Sequence, residues 1–176
     1  FFYIVFIMDV YSRRIVGYSL ADNMRAENNL SALQQALKLR GIKDYGKTLI
    51  HHSDKGSQYA SDDYTALLDQ YGIRISMCNE VYENTHIERV NDTIKNQYLK
   101  RWSINDVKEL VRKLADAIKA YNQQRPHQSL NGMSPIEYEK HLETIENYKR
   151  KKMTIYTVKL NNENRLDTQL DLFEQL

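Results

Sequence analysis

The sequence predicts an α/β domain with a mixed sheet flanked by helices, on three observations. Short apolar runs such as FYIVFIM (2–8) alternate with stretches of helical period. Each helical stretch carries its own stop, at Gly41, Gly72 and Pro126. At 176 residues, 41% hydrophobic and 27% charged, the chain has the length and composition of one globular domain with a core of its own. No apolar run approaches the ~20 residues of a membrane span, and no secretory signal opens the chain. The single cysteine, Cys78, has no internal disulfide partner, which fits a cytoplasmic setting. Phe1 opens the chain inside an apolar run, so the sequence reads as a piece of something longer.

FYIVFIM, apolar without alternation, predicts a strand buried on both faces. RIVGYSL (14–20) follows closely enough to form a hairpin with it. Ala26 to Leu39 is a helix, with Leu30, Leu33 and Leu37 at helical spacing before Gly41. KTLIHH (47–52) is a strand that delivers Asp54. Asp62 to Tyr71 is a short helix ended by Gly72, and IRISM (73–77) is a strand. Asn84 caps a helix running to about Lys100. Ser103 opens the longest helix, with Asp106 in a capping-box-like start. Its Val107, Leu110, Val111, Leu114, Ile118 and Tyr121 predict one buried stripe. A short helix follows Pro135, and Thr154–Leu160 is one further strand.

Charge is unevenly laid out. The balance is +3 over residues 1–50, −3 over 51–100, +4 over 101–152 and −2 over 153–176. An acidic middle between basic flanks suits a metal-dependent enzyme acting on a polyanion, and equally suits ordinary solvated faces. Asp54, at the mouth of an apolar strand, is costly there without a cation to meet it. Gly56 then lets the chain turn, so that Lys55 and Ser57 face a ligand. Glu88 lies on the helix from Asn84, whose Ile87, Val90 and Ile94 share one face. Glu88, Asn91, Asp92 and Lys95 share the other, with Lys95 two turns beyond Glu88, ~10 Å along the axis. That face reads either as a carboxylate for metal with a lysine for phosphate, or as a solvated surface. His51 and His52 beside Asp54 read as metal or acid–base groups, or as supports of the strand end.

HSDKGSQY, NTHIERVNDTIKNQYL and YNQQRPHQSLNGMSP, preceded by IMDVYSRRIVGYSL, resemble in order the signatures of DDE-type insertion-sequence transposases, relatives of retroviral integrase. The resemblance covers residues 3 to 138 and implies a ribonuclease-H-like core. It implies Asp54 and Glu88 as the second and third catalytic, metal-holding carboxylates, with Mg²⁺ as cofactor and Mn²⁺ as a substitute. It also implies a DNA contact at Lys95; Lys55, Asn91 and Arg125 are further DNA-contact candidates, the last being either a phosphate contact or part of a structural turn. The first carboxylate is expected in an Asp-x-Thr strand before Phe1, the central strand of the fold, which would sit between FYIVFIM and KTLIHH. Asp9 is the alternative, but it is expected to hold the turn at Ser12 and Arg13. Asp54 and Glu88 stand 34 positions apart, a short spacing for this resemblance, and the loop before Asn84 carries no glycine.

The resulting division is a catalytic core over 1–140, a basic extension over 141–160 and a flexible tail over 161–176. QLDLF in the tail resembles a peptide for the bacterial sliding clamp, with Gln169, Leu170, Leu172 and Phe173 as anchors; an amphipathic terminal helix is the other reading. The expected function is Mg²⁺-dependent DNA cleavage and strand transfer at element ends and target, by a homo-oligomer associated with the bacterial nucleoid. The alternatives are an inactive DNA-binding remnant and a ribonuclease-H-like nuclease. Thirteen tyrosines raise a tyrosine recombinase, but the arginine and histidine constellation it needs is not evident.

Overall fold

A computed structural model describes residues 1–77 and 85–152. The segment 78–84, with the expected cap Asn84, and residues 153–176, with the last expected strand and QLDLF, lie outside the described residues.

β1 (Tyr3–Met8) and β2 (Ile15–Ala21) form the expected antiparallel hairpin, with an irregularity in register between Ile7 and Met8. α1 (Ala26–Arg40) returns across it and ends on Gly41 at φ 67°, whose N–H caps the Leu37 carbonyl. β3 (Ile50–Ser53) follows, then a 3₁₀ turn at Ser57–Tyr59, α2 (Asp62–Gln70) and β4 (Arg74–Met77), which pairs parallel with β3. α3 (Thr85–Asp92) runs into a π-helical stretch, Thr93–Tyr98, and a 3₁₀ turn, Leu99–Arg101. α4 (Val107–Gln124) and α5 (Pro135–Glu143) complete the described chain, apart from 3₁₀ turns at Gln128–Leu130 and Asn147–Lys149.

Two apolar cores lie on opposite sides of the hairpin, as successive strand residues face opposite ways. Phe6 and Ile15 join Val90, Ile94, Leu114, Ala117, Ile118 and Tyr121 in one. Ile7 packs against the other, made of Leu33, Leu37, Tyr64, Leu68 and Ile73. Gly17, paired with Ile7, brings β2 against α1 so closely that a Cβ there would lie 2.1 Å from the Ala32 carbonyl oxygen.

Among the described residues, the strands form two separate two-stranded sheets, β1-β2 and β3-β4, in line with the expectation that the strand between FYIVFIM and KTLIHH is missing from this chain. Several other expectations change. β1 is covered on both faces, though less completely than expected: Phe6 is buried and its neighbours are half-buried, Ile4 and Met8 packing on one core and Ile7 on the other. Asp106, not Ser103, caps α4, its carboxylate accepting the Glu109 N–H at 2.7 Å. The buried stripe of α4 starts at Leu114, for Val107 and Val111 are half exposed on a first turn and a half that overhangs the core. The helix from Thr85 also leaves α-geometry at Thr93 and continues as a π-helical stretch to Tyr98. Arg125 takes extended geometry, as a residue before proline must, and Ser134 with Glu137 closes a full capping box on α5. α5 continues to Glu143, across the boundary expected at residue 140.

Candidate active site

Asp54 is the first residue beyond β3 and Glu88 lies in the first turn of α3; both side chains are exposed. The desolvation cost expected of a carboxylate at a strand mouth therefore does not arise. Asp54 Oδ1 accepts the Gly56 N–H at 3.0 Å, an Asx turn that folds the chain back and leaves Oδ2 for a ligand. Gly56 itself has φ −59°, open to any residue, so the turn comes from the Asp54 side chain rather than from glycine freedom. Lys55 and Ser57 are exposed beside it.

Under Asp54 lies an aromatic cage. His51 Nε2 is 3.0 Å from the Tyr64 hydroxyl, and the His51 ring packs against Tyr59 and Tyr64 at centroid distances of 6.3 and 5.5 Å. Tyr59 and Tyr64 meet edge to face at 5.6 Å. Burial, with the neighbouring His52 adding to it, pushes His51 down to about 4, so its imidazole is neutral at ordinary pH. Burial and then the Asp54 charge push Tyr59 up to about 12. His52 Nδ1 meets Ser76 Oγ at 3.1 Å across the β3–β4 pair. Both histidines thus have the supporting contacts of the structural reading.

On α3 the face division is as expected. Val90 and Ile94 are buried and Ile87 packs beside them, whereas Glu88, Asn91 and Lys95 are exposed. Arg125, half-buried, reaches back with Nη1 to Gln97 Oε1 at 2.6 Å, tying the segment after α4 to the π stretch. Asp9 holds its turn with Oδ1, which accepts the N–H groups of Tyr11 and Ser12 at 2.9 and 3.1 Å. Its Oδ2 pairs with Arg40 at 2.7 Å. The donors differ by one residue from those expected, but both oxygens are engaged in structure. Among the described residues no group of three or more His, Cys, Asp or Glu side chains is placed to hold a metal ion. Asp54 and Glu88 are nevertheless the right donors for a hard divalent cation, two exposed carboxylates with free oxygen.

Sequence reasoning missed two things here. The cage of Tyr59 and Tyr64 had no periodic signal, because it joins a 3₁₀ turn to a helix. Arg13, adopting φ 62° at the hairpin turn, was read only as part of a turn, yet its guanidinium is largely enclosed.

Two family models, both described as integrase core domain, match residues 1–81 and 71–135. The chain belongs to the integrase core domain family. It is 34% identical over 142 residues to the transposase for insertion sequence element IS629 of Shigella sonnei, a match covering 80% of this chain and 47% of that protein. To the transposase for insertion sequence element IS904 of Lactococcus lactis it is 31% identical over 142 residues, covering 79% of this chain and 55% of the other. The chain thus spans about half the length of these relatives. Among solved structures, the catalytic core domain of HTLV-2 integrase in complex with magnesium superposes with a TM-score of 0.58 at 22% identity, over 74% of this chain and 80% of that one. The catalytic core domain of BIV integrase gives 0.58 at 19% identity, over 80% and 88%. These likenesses establish the ribonuclease-H-like fold. Among the described residues no helix is long and apolar enough to cross a membrane.

Proposed function

We propose that this chain is the catalytic core of an insertion-sequence transposase that cleaves DNA strands and joins the freed ends to a target. The carrying observation is the pair Asp54 and Glu88, two exposed carboxylates at a strand exit and a helix start, on an integrase core shared with transposase relatives. Asp54 and Glu88 would hold Mg²⁺, or Mn²⁺ in its place, and the cation would supply charge stabilisation at the phosphorus under attack. The chain's own residues orient and bind. The Gly56 N–H fixes one Asp54 oxygen and so aims the other. Lys55, Asn91 and Lys95, all exposed, would contact backbone phosphates, as would Arg125, which is tied to Gln97. The neutral, caged His51 supports the strand end and exchanges no proton with substrate. A first step freeing a 3′-hydroxyl, with no covalent protein–DNA link, and assembly as an oligomer follow from the joining of two ends.

The test is Mg²⁺-dependent nicking and joining of labelled DNA carrying element ends. Asp54→Asn should lower both by about a hundredfold or more, because several kcal/mol of charge stabilisation are lost, while DNA binding stays intact. The second reading is a DNA-binding remnant without catalysis. A longer protein that carries the expected Asp-x-Thr strand, and that binds DNA but nicks none with either cation, supports that reading and overturns the first.

A further inference from the structure

The edge of β2 turned away from β1 borders an open groove of about 350 Å³. Ile15 and Val16 of β2 line it, with Leu39 of α1, Ile118 and Lys119 of α4, and Ile136 of α5. Leu39 is 47% exposed there, an apolar side chain left to water beside a largely apolar lining. A sheet edge ordinarily invites another strand, but this one is already closed. Asn122 engages both backbone groups of Ile15, Oδ1 accepting the N–H and Nδ2 donating to the carbonyl, each at 2.9 Å. Gln35 Oε1 accepts the Tyr18 N–H at 2.8 Å. With two side-chain amides standing where a strand would pair, an occupant of the groove has to offer side chains rather than backbone.

The groove also has a sign. Its charged lining residues are Arg14 and Lys119, both cationic. Arg14 is paired with Glu139, whereas Lys119 forms no ion pair among the described residues.

The chain itself carries a segment that fits. Leu166, Leu170 and Phe173 stand at steps of four and three, the spacing of one helix face. Asp167, Asp171 and Glu174 each follow one of them, so an acidic stripe flanks the apolar one. The described chain also ends in the right place. The Lys151 carbonyl accepts from the Tyr11 hydroxyl at 2.8 Å, and the Tyr11 ring packs on Tyr138 at 5.8 Å. Tyr11 is three residues from Arg14 and Tyr138 two from Ile136, so the exit lies at the rim of the groove. Residues 153 to 165 reach up to ~40 Å when extended, ample for that distance.

We propose that residues 166–174 of this same chain dock in the groove as a short amphipathic helix. Leu166, Leu170 and Phe173 enter it, and the acidic stripe lies against Lys119. The inference does not depend on the DNA reading above. A short tether gives the segment an effective concentration on the order of mM, so a contact too weak to join two separate molecules suffices. Docked there, Leu170 and Phe173 of QLDLF are covered, and an outside groove takes them only after release.

The test uses the full 176-residue chain carrying Cys78→Ser and Thr168→Cys, with a nitroxide attached at position 168, on the helix face opposite Leu166. Isoleucine and leucine methyl signals are read by NMR at low protein concentration. Signals of Leu39, Ile118 and Ile136 should be broadened, while that of Ile75 on β4 stays sharp. Leu170→Asp with Phe173→Asp, changes confined to the tail, should return the groove signals to full height. Lys119→Glu, at an exposed position, should weaken the broadening with the rest of the spectrum unmoved. Groove signals that are never broadened, or no more than Ile75, overturn the proposal, as does broadening that survives the paired tail substitutions. Nitroxide-bearing chains without methyl label are then mixed with methyl-labelled chains without nitroxide. Sharp groove signals in that mixture support docking within one chain; broadened ones assign the groove to a second copy and overturn the proposal.

Discussion

His51 illustrates how one buried side chain links pH to stability. Its folded value is about 4 against about 6.5 when unfolded, so below pH 6.5 the unfolded chain takes up a proton that the native one refuses. Stability contributed by the neutral ring is therefore complete above about pH 7, falls between about 6.5 and about 4, and levels off below. The loss is about 3 kcal/mol, at 1.36 kcal/mol per unit. Urea denaturation of wild type and His51→Gln at matched pH isolates it, since other groups titrate alike in both. Wild type should lose its margin over the variant on acidification; a constant difference would show that Tyr64 and the cage do not keep His51 neutral. Asp54, by contrast, owes its position to a local bond with Gly56, a turn that Asp-Lys-Gly-Ser signals in the sequence.

Among elements, the contact of β2 with α1 is the tightest. With the Ala32 carbonyl oxygen 2.1 Å from where a Gly17 Cβ would sit, and Ala36 Cβ at 3.1 Å, Gly17→Ala has to push α1 off the sheet. The obstructing atom is backbone and has no rotamer to change. The substitution should cost about 3 kcal/mol, the upper part of the overpacking range, read as a lower urea midpoint with an unchanged m-value. A neutral result would mean that α1 rides loosely on β2. The sequence pointed to both elements but not to the contact, since RIVGYSL reads as a strand whatever faces its glycine. α3 shows the converse. Its apolar period is readable and correct as far as Ile94, but the π stretch from Thr93 has no mark in the sequence.

Across the whole molecule, one carboxylate joins three segments far apart in sequence. Glu139 on α5 accepts the Ser12 hydroxyl at 2.8 Å, pairs with Arg40 at the end of α1 at 2.7 Å, and pairs with Arg14. Burial acts against its charge, yet hydrogen bonds from Arg40 and Arg14 hold its carboxyl below the ordinary value. Glu139→Ala strands two arginine groups in a partly buried place. It should cost about 2 kcal/mol, less than the ~3–5 kcal/mol of a fully buried pair because its side chain is 17% exposed. Thermal melting at neutral pH checks this, and near pH 3, where protonation weakens the native network, the difference between wild type and variant should shrink. A difference that persists there would move the cause from the charge to packing. The Tyr11 hydroxyl adds a further tie, donating to the Lys151 carbonyl at 2.8 Å.

The sequence by itself determined the α/β alternation, the hairpin, the stops at Gly41, Gly72 and Pro126, and the integrase-core resemblance that brought Asp54 and Glu88 forward. These are carried by local steric preference, by the period of apolar residues and by ordered motifs, all of which are written along the chain. Only the tertiary structure decided that His51 is caged by tyrosines, that Arg125 reaches back to Gln97, and that Glu139 ties Ser12, Arg14 and Arg40 together. Those outcomes depend on burial and electrostatics between residues tens of positions apart, where no sequence period reaches.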